Sequence, residues 1–199
     1  VQVFNSFANF PKNSTSGIDF QLSYTLPTTL VPALQDAGKF KLVTTATFLS
    51  NFDQSLLSDD GVTLTKTGIA GTLEYPRWKI NPSLQWARGP LTASWNTRIV
   101  WGTWEDCFDG LSPSLQSLGL CSNPERISID GFPSNRVRFA MKHDLQMGYN
   151  YKPFKLNVGL GVQNILNRDP PVSYSSTNSF DPTYWIPGRL PYMNLKKDF

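Results

Sequence analysis

Period-two alternation of apolar and polar residues dominates this chain. In residues 154–163, Phe154, Leu156, Val158, Leu160 and Val162 share one face, and Lys155, Asn157, Gly159, Gly161 and Gln163 share the other. The same phase runs through 137–149, where Val137, Phe139, Met141, Leu145, Met147 and Tyr149 oppose Arg138, Ala140, Lys142, Asp144, Gln146 and Gly148. Residues 77–86 set Trp78, Ile80, Leu84 and Trp86 against Arg77, Lys79, Asn81, Ser83 and Gln85. The pattern recurs in 18–26 and 91–101, and it predicts eight strands, at about 1–10, 17–27, 39–50, 75–87, 90–103, 136–150, 153–166 and 189–199. No segment carries a helical period of similar length, and Pro32 limits the one short helical candidate, at 28–38.

The connections alternate in length. The pairs around Gly89–Pro90 and Lys152–Pro153 are short turns, whereas 51–74, 104–135 and 167–188 are long and rich in Gly, Pro, Ser and Asp. An antiparallel meander built this way carries its long loops at one end and its short turns at the other. A compact domain seldom holds three long loops without regular structure. Outer-membrane barrels have that asymmetry by construction.

Alternation alone does not say what the apolar face meets. A sandwich turns it to a core and a barrel turns it to lipid. Strand length and the placement of aromatics favour lipid. Several segments run well past the ~5–6 residues usual in soluble sheets and reach the ~9–11 that a tilted membrane strand needs. Trp78 and Trp86 lie on one face of one strand, roughly 26 Å apart at ~3.3 Å per residue. After tilt, that approximates the spacing of two aromatic girdles flanking an apolar band ~25 Å tall. Trp101, Tyr149 and Phe199 also fall at strand ends. Gly148, Gly159 and Gly161 share the polar face, as in a lumen packed beside a plug.

Composition narrows the class further. Charged residues are 17% of the chain and aromatics 13%, so charge is well below the roughly 25% of ordinary soluble domains. The net charge of +3 is spread along the sequence, which argues against the basic stripe of a nucleic-acid binder. No apolar run reaches the ~20 residues of a membrane helix. The sequence opens on Val1 with no initiating Met and no apolar leader. The expectation is a removed targeting segment or a piece of something longer.

Candidate chemistry is sparse. His143 is the sole histidine and sits on the apolar face, while Asp144 points to the other. A triad or metal site needs convergent partners, so a structural or interfacial role is expected and no catalytic residue is assigned. Cys107 and Cys121 lie in one long loop without metal-ligand spacing, and a disulfide worth ~3 kcal/mol in the chain-entropy picture is the expectation. Residues 159–164 lack the third glycine and the following helix of a dinucleotide loop. Asp59 and Asp60 lack calcium-loop spacing, and the sequon at Asn13 is a weak signal. No cofactor or metal is expected. The loop aromatics are richer: Trp104, Tyr174, Tyr184 and Trp185, with Arg126 and Arg189 nearby, are candidate ligand contacts through stacking and hydrogen bonding. Phe108, Phe132 and Phe180 belong to the same loops. Loop self-packing and an interfacial girdle are the plainer account of all of them.

Asn164, Leu166, Asn167, Asp169, Pro170, Pro171, Gly188 and Arg189, followed by a last strand ending in Phe199, resemble the C-terminal end of the TonB-dependent outer-membrane receptor family. Gly17, Ile18 and Asp19 resemble its recurring strand opening, and 75–86 its Pro-led strand after a long loop. Lys197, where the family has an apolar residue, and Pro191, early in the last strand, depart from the pattern.

The resemblance implies an all-β fold in which residues 1–199 are the C-terminal portion of a 22-stranded barrel with a plugged lumen. The plug and the earlier strands have no counterpart in the chain. Phe199, Leu195 and Met193 would serve barrel closure and assembly at the lipid face, through the barrel-assembly machinery. The implied function is import of a scarce solute, such as a siderophore-iron complex, cobalamin or an oligosaccharide. Energy would come from TonB through the missing plug, and the location would be the outer membrane of a Gram-negative bacterium. The implied partners are membrane lipid and a small solute at the extracellular loops, with no nucleic acid and no enzymatic role. A complete eight-stranded barrel with a structural or adhesion role is the alternative, since eight strands can close around side chains. A lipid-degrading enzyme would need partners that His143 lacks, and a soluble lipocalin-like binder would need no detergent.

Overall fold

The computed structural model describes residues 12–28, 34, 36–57, 64–107, 115–128, 131–176, 181–185 and 187–198. Five long strands and two shorter closing strands make an antiparallel meander: β1 (Asn13–Leu26), β2 (Lys39–Leu57), β4 (Trp78–Arg88), β5 (Leu91–Val100), β9 (Ala140–Tyr151), β10 (Leu156–Gln163) and β11 (Leu190–Lys197). Each pairs with the next in that order, and β3 (Leu64–Gly68) pairs with β2 off the main path. A separate small sheet holds β6 (Thr103–Asp106), β8 (Pro133–Val137) and β7 (Asn123–Ile127). No α-helix occurs among the described residues.

Seven of the expected strands are present, and the expected strand over 1–10 lies outside the described residues. The loop expected over 51–74 is partly sheet, because β2 runs on to Leu57 and β3 folds back against it. β1 starts at Asn13 rather than 17, and its register shifts between Ser16 and Gly17. The extra residue is Ser50 of β2, since Ser16 pairs with Asn51 and Gly17 with Leu49, and residues 13–16 are Asn, Ser, Thr and Ser, with no apolar alternation for a period-two reading to find. Glycine is required at the bulge, since a Cβ on Gly17 would lie 2.6 Å from the Phe48 carbonyl oxygen. The segment expected as one strand over 136–150 divides into β8 and β9 at Arg138–Phe139. There the chain leaves the small sheet, passes Gly102, whose Cβ would meet the Val137 carbonyl at 2.9 Å, and joins the large one.

Register puts the apolar residues in rows that cross the whole sheet. One row runs Leu26, Phe40, Trp86, Ala93, Met147, Leu160, Met193, and the next runs Tyr24, Leu42, Leu84, Trp95, Leu145, Val162, Pro191. At the loop end the rows finish on aromatics: Phe48 packs on Trp78 at 4.6 Å between ring centroids, and Trp101 lies 6.4 Å from Phe139. Pro82 sits inside β4, where it has no N–H to give. The β4–β5 ladder skips from Ile80↔Ile99 to Ser83↔Asn96 at that point.

This apolar face is not covered among the described residues. Ile18 and Leu22 are each 54% exposed, Leu160 56%, and Met193 and Leu195 61%. The opposite face is polar and hydrogen-bonded within itself, with Thr47 donating to Asp19 at 2.7 Å and Ser83 paired with Asn96 at 2.6 Å. Gly161 makes room there for Tyr192, whose Cζ would stand 2.3 Å from an added Cβ. The buried apolar clusters lie at the loop end instead. One joins Leu73, Val100, Val137 and Tyr184, and the other joins Leu115 to the Cys107–Cys121 disulfide.

Candidate functional site

The loop end is where this sheet stops being a bare wall and acquires an interior. β6 and β8 pair so that Thr103 faces Val137 and Glu105 faces Asn135, and all four are buried. The Glu105 carboxylate then ties the small sheet to the turn at 173–176. It accepts from Asn135 Nδ2 at 2.6 Å, from the Tyr174 N–H at 3.1 Å, and from the Ser175 N–H and hydroxyl at 3.3 and 2.9 Å. The buried Ser173 hydroxyl donates to it as well. Both carboxylate oxygens are thus supplied with hydrogen-bond donors.

A second lock explains the sequence motif at 164–171. Asn164 and Asn167 both adopt left-handed backbone, at φ 48° and 50°, a conformation asparagine tolerates better than most residues. Asn164 is fully buried. Its Oδ1 accepts from the Arg168 N–H at 2.9 Å, while its Nδ2 donates to the carbonyls of Arg168 and Pro187 at 2.9 and 3.2 Å. Its own N–H donates to Asp144 Oδ1 at 2.7 Å. Asn167 Oδ1 accepts from the Arg189 N–H at 2.9 Å, and Arg189 Nε donates to the Ile165 carbonyl at 3.0 Å. The motif residues therefore pin the end of β10 to the start of β11.

Between these locks lies an open cleft of about 640 Å³. Arg136, Arg138 and Arg168 line it with Asp169, and Phe139, Met141, Val172 and Tyr174 supply apolar wall. A smaller recess of about 30 Å³ on the polar face is bordered by Arg98, Lys142, Tyr184 and Trp185. Lys142 Nζ stands 3.8 Å from the Trp185 ring centroid and 3.2 Å from Asp144. Trp185 Nε1, beside the recess, is buried without a hydrogen-bond partner among the described residues, as is Gln163 Oε1 at the end of β10.

The loop residues expected from sequence to touch a ligand go to different places. Tyr174 lines the large cleft and Trp185 borders the recess. Trp104 is sandwiched by arginines, with Arg126 at 4.1 Å and Arg136 at 5.6 Å from its ring centroid. Tyr184 is 2% exposed and is a core residue, bonded to the Thr103 hydroxyl at 3.1 Å. Burial holds its phenol above the ordinary tyrosine range, the Thr103 bond opposes that shift, and Asp181 and Glu105 add to it. Arg189 is exposed, and its Nε bond to the Ile165 carbonyl ties it to the backbone at the end of β10. Cys107 and Cys121 are joined, with Cα atoms 5.8 Å apart. His143 Nδ1 meets the Thr97 hydroxyl at 2.9 Å and accepts from Trp95 Nε1 at 3.1 Å, all on the apolar face. Leu195 and Met193 lie on that face opposite Val158 and Leu160, while Phe199, Phe108 and Phe180 lie outside the described residues, as do Asp59 and Asp60.

Sequence reading missed Glu105, Arg136, Arg138, Arg168 and Lys142 as site residues. Arg136 and Arg138 share a face by period two, a signal available in the sequence, but Arg168 joins them only through the fold. No group of three or more metal-binding side chains occurs among the described residues. No protein-family model matches the chain, and no curated protein and no solved structure matches it either.

Proposed function

We propose that this chain is the C-terminal part of the barrel of an outer-membrane active transporter of the TonB-dependent kind. In this reading it binds and imports a scarce solute with energy passed on by TonB. The observation that carries the membrane half is the apolar face of seven paired strands, uncovered among the described residues and backed by a polar face. Monomeric soluble proteins rarely expose an apolar patch beyond a few hundred Å². The Trp78-to-Trp86 separation, roughly 26 Å along the strand, projects to about 20 Å at a tilt of ~40°, near the height of a lipid-facing band. Open edges are not tolerated in hydrocarbon, and β1 and β11 each present one among the described residues. Further strands of the same wall would satisfy them. The transport half rests on the family resemblance and on the loop-end recess, where Trp185 and Lys142 meet the polar face that would line the lumen.

The membrane half is tested by reconstituting the full protein into vesicles of brominated phosphatidylcholine. Trp95, in the middle of the apolar rows, should be strongly quenched, and Trp95→Phe should remove most of the deep component. A monodisperse protein in plain buffer with unquenched tryptophans refutes the membrane wall. The transport half is tested in cells by solute uptake. Collapsing the proton-motive force should stop uptake and leave surface binding intact, and uptake that survives the collapse refutes energy coupling.

A further inference from the structure

We infer that the large cleft is a binding site for the phosphomonoester headgroup of an anionic lipid, seated where the apolar band ends. The inference rests on the membrane reading above and adds a ligand to it.

Three guanidiniums and one carboxylate give the cleft a net charge of about +2. A phosphomonoester carries about −1.5 to −2 at neutral pH, so the two balance. Arg138 and Arg168 have no hydrogen-bond or ion-pair partner for their side chains among the described residues, which leaves their five-donor forks free. The Arg136 guanidinium lies 5.6 Å from the Trp104 ring centroid and has no hydrogen-bond or ion-pair partner among the described residues. Guanidinium forks suit phosphate oxygens in bidentate geometry.

The backbone that carries these groups is fixed before any ligand arrives. Arg136 sits in β8, with its N–H given to Ser122 Oγ at 2.6 Å. Arg168 is held on both sides of its peptide by buried Asn164. Less ordering entropy is then lost on binding.

The apolar wall identifies the source of the phosphate. By register, Met141 and Phe139 belong to the lipid-facing rows, through Met141↔Ile99 and the Phe139–Trp101 contact. Phe139 is 58% exposed. A free phosphate would make no use of that wall. A lipid would lay its acyl chains on the band and lift its phosphate to the arginines at the rim. Basic pockets beside membrane-spanning elements bind lipid headgroups by this chemistry.

The test uses the full protein in detergent micelles and native mass spectrometry. Dioleoyl phosphatidic acid is titrated against dioleoyl phosphatidylcholine. The wild type should retain phosphatidic acid about tenfold better. The Arg138→Gln, Arg168→Gln double variant should lose that preference, and Arg88→Gln, at the opposite end of the sheet, should keep it. These arginines make no side-chain bonds to lose, so brominated-lipid quenching of Trp95 should be unchanged in the double variant. A double variant that keeps the preference places the headgroup elsewhere and overturns the site. Displacement of phosphatidic acid by inorganic phosphate at equal concentration overturns the lipid source and leaves a free-anion site. Quenching intact with no phosphatidic-acid preference refutes this inference alone, whereas loss of quenching in the wild type refutes the membrane reading beneath it.

Discussion

Replacing Glu105 by alanine should loosen one corner of the molecule and leave the sheet alone. The carboxylate accepts five hydrogen bonds, two of them from the backbone N–H groups of Tyr174 and Ser175. It is 5% exposed. Removing it leaves the Asn135 amide, two hydroxyls and two N–H groups without their acceptor. Each buried orphan costs about 1–3 kcal/mol, but the hydroxyls can turn and water enters the gap, so the sum falls to about 3–5 kcal/mol. That loss belongs to the local opening of 173–176 rather than to global unfolding. Amide exchange at Tyr174 and Ser175 should therefore accelerate by about 10² to 4 × 10³-fold, at ~1.4 kcal/mol per tenfold, with β9 and β10 unchanged. Glu105→Gln should not restore protection, because its amide nitrogen would face donors. Hydrogen–deuterium exchange resolved to single amides checks this. Unaltered exchange at Tyr174 and Ser175 in the alanine variant refutes the claim that the carboxylate holds the turn.

Other outcomes follow from the same geometry. Gly161→Ala should cost about 1–3 kcal/mol by overpacking against Tyr192, and the cost should largely vanish in a Tyr192→Ala background, as a double-mutant cycle by chemical denaturation would show. The buried Tyr184 phenol is held above its ordinary value of 10.0, so its stabilisation is complete below about pH 10 and is lost as pH rises through the folded value. Tyr184→Phe should remove that part of the alkaline decline, read from denaturation midpoints between neutral and strongly alkaline pH. Reducing Cys107–Cys121, which spans 14 residues, or replacing both cysteines by serine, should raise proteolytic cleavage between them while the long strands stay protected, with a stability loss of ~3 kcal/mol in the chain-entropy picture.

The sequence by itself determined the strands and their faces. Alternation is a local property, since a side chain at position i and one at i+2 leave the same side of a strand whatever the partner is. That is why β4, β9 and β10 were legible with the correct residues on each face, and why the short turns at Gly89 and Lys152 were placed between the right pairs. Local reading failed where the alternation is absent or ambiguous: at the all-polar start of β1 over 13–16, and at Arg138–Phe139, where one apparent strand serves two sheets.

What only the tertiary structure decided was the loop end. Glu105 reaches a turn about 70 residues away, and Thr103 meets Tyr184 across 81 residues. Nothing in the spacing of those residues announces the contact. Tyr184 and Arg189 read in sequence as candidate ligand contacts, and the fold buries the first and ties the Nε of the second to the Ile165 carbonyl. A polar or aromatic loop residue acquires its role from the groups that desolvate it and satisfy its hydrogen bonds. Those groups arrive from distant parts of the chain. A strand carries its face in its own repeat, and a site exists only once the fold has brought its parts together.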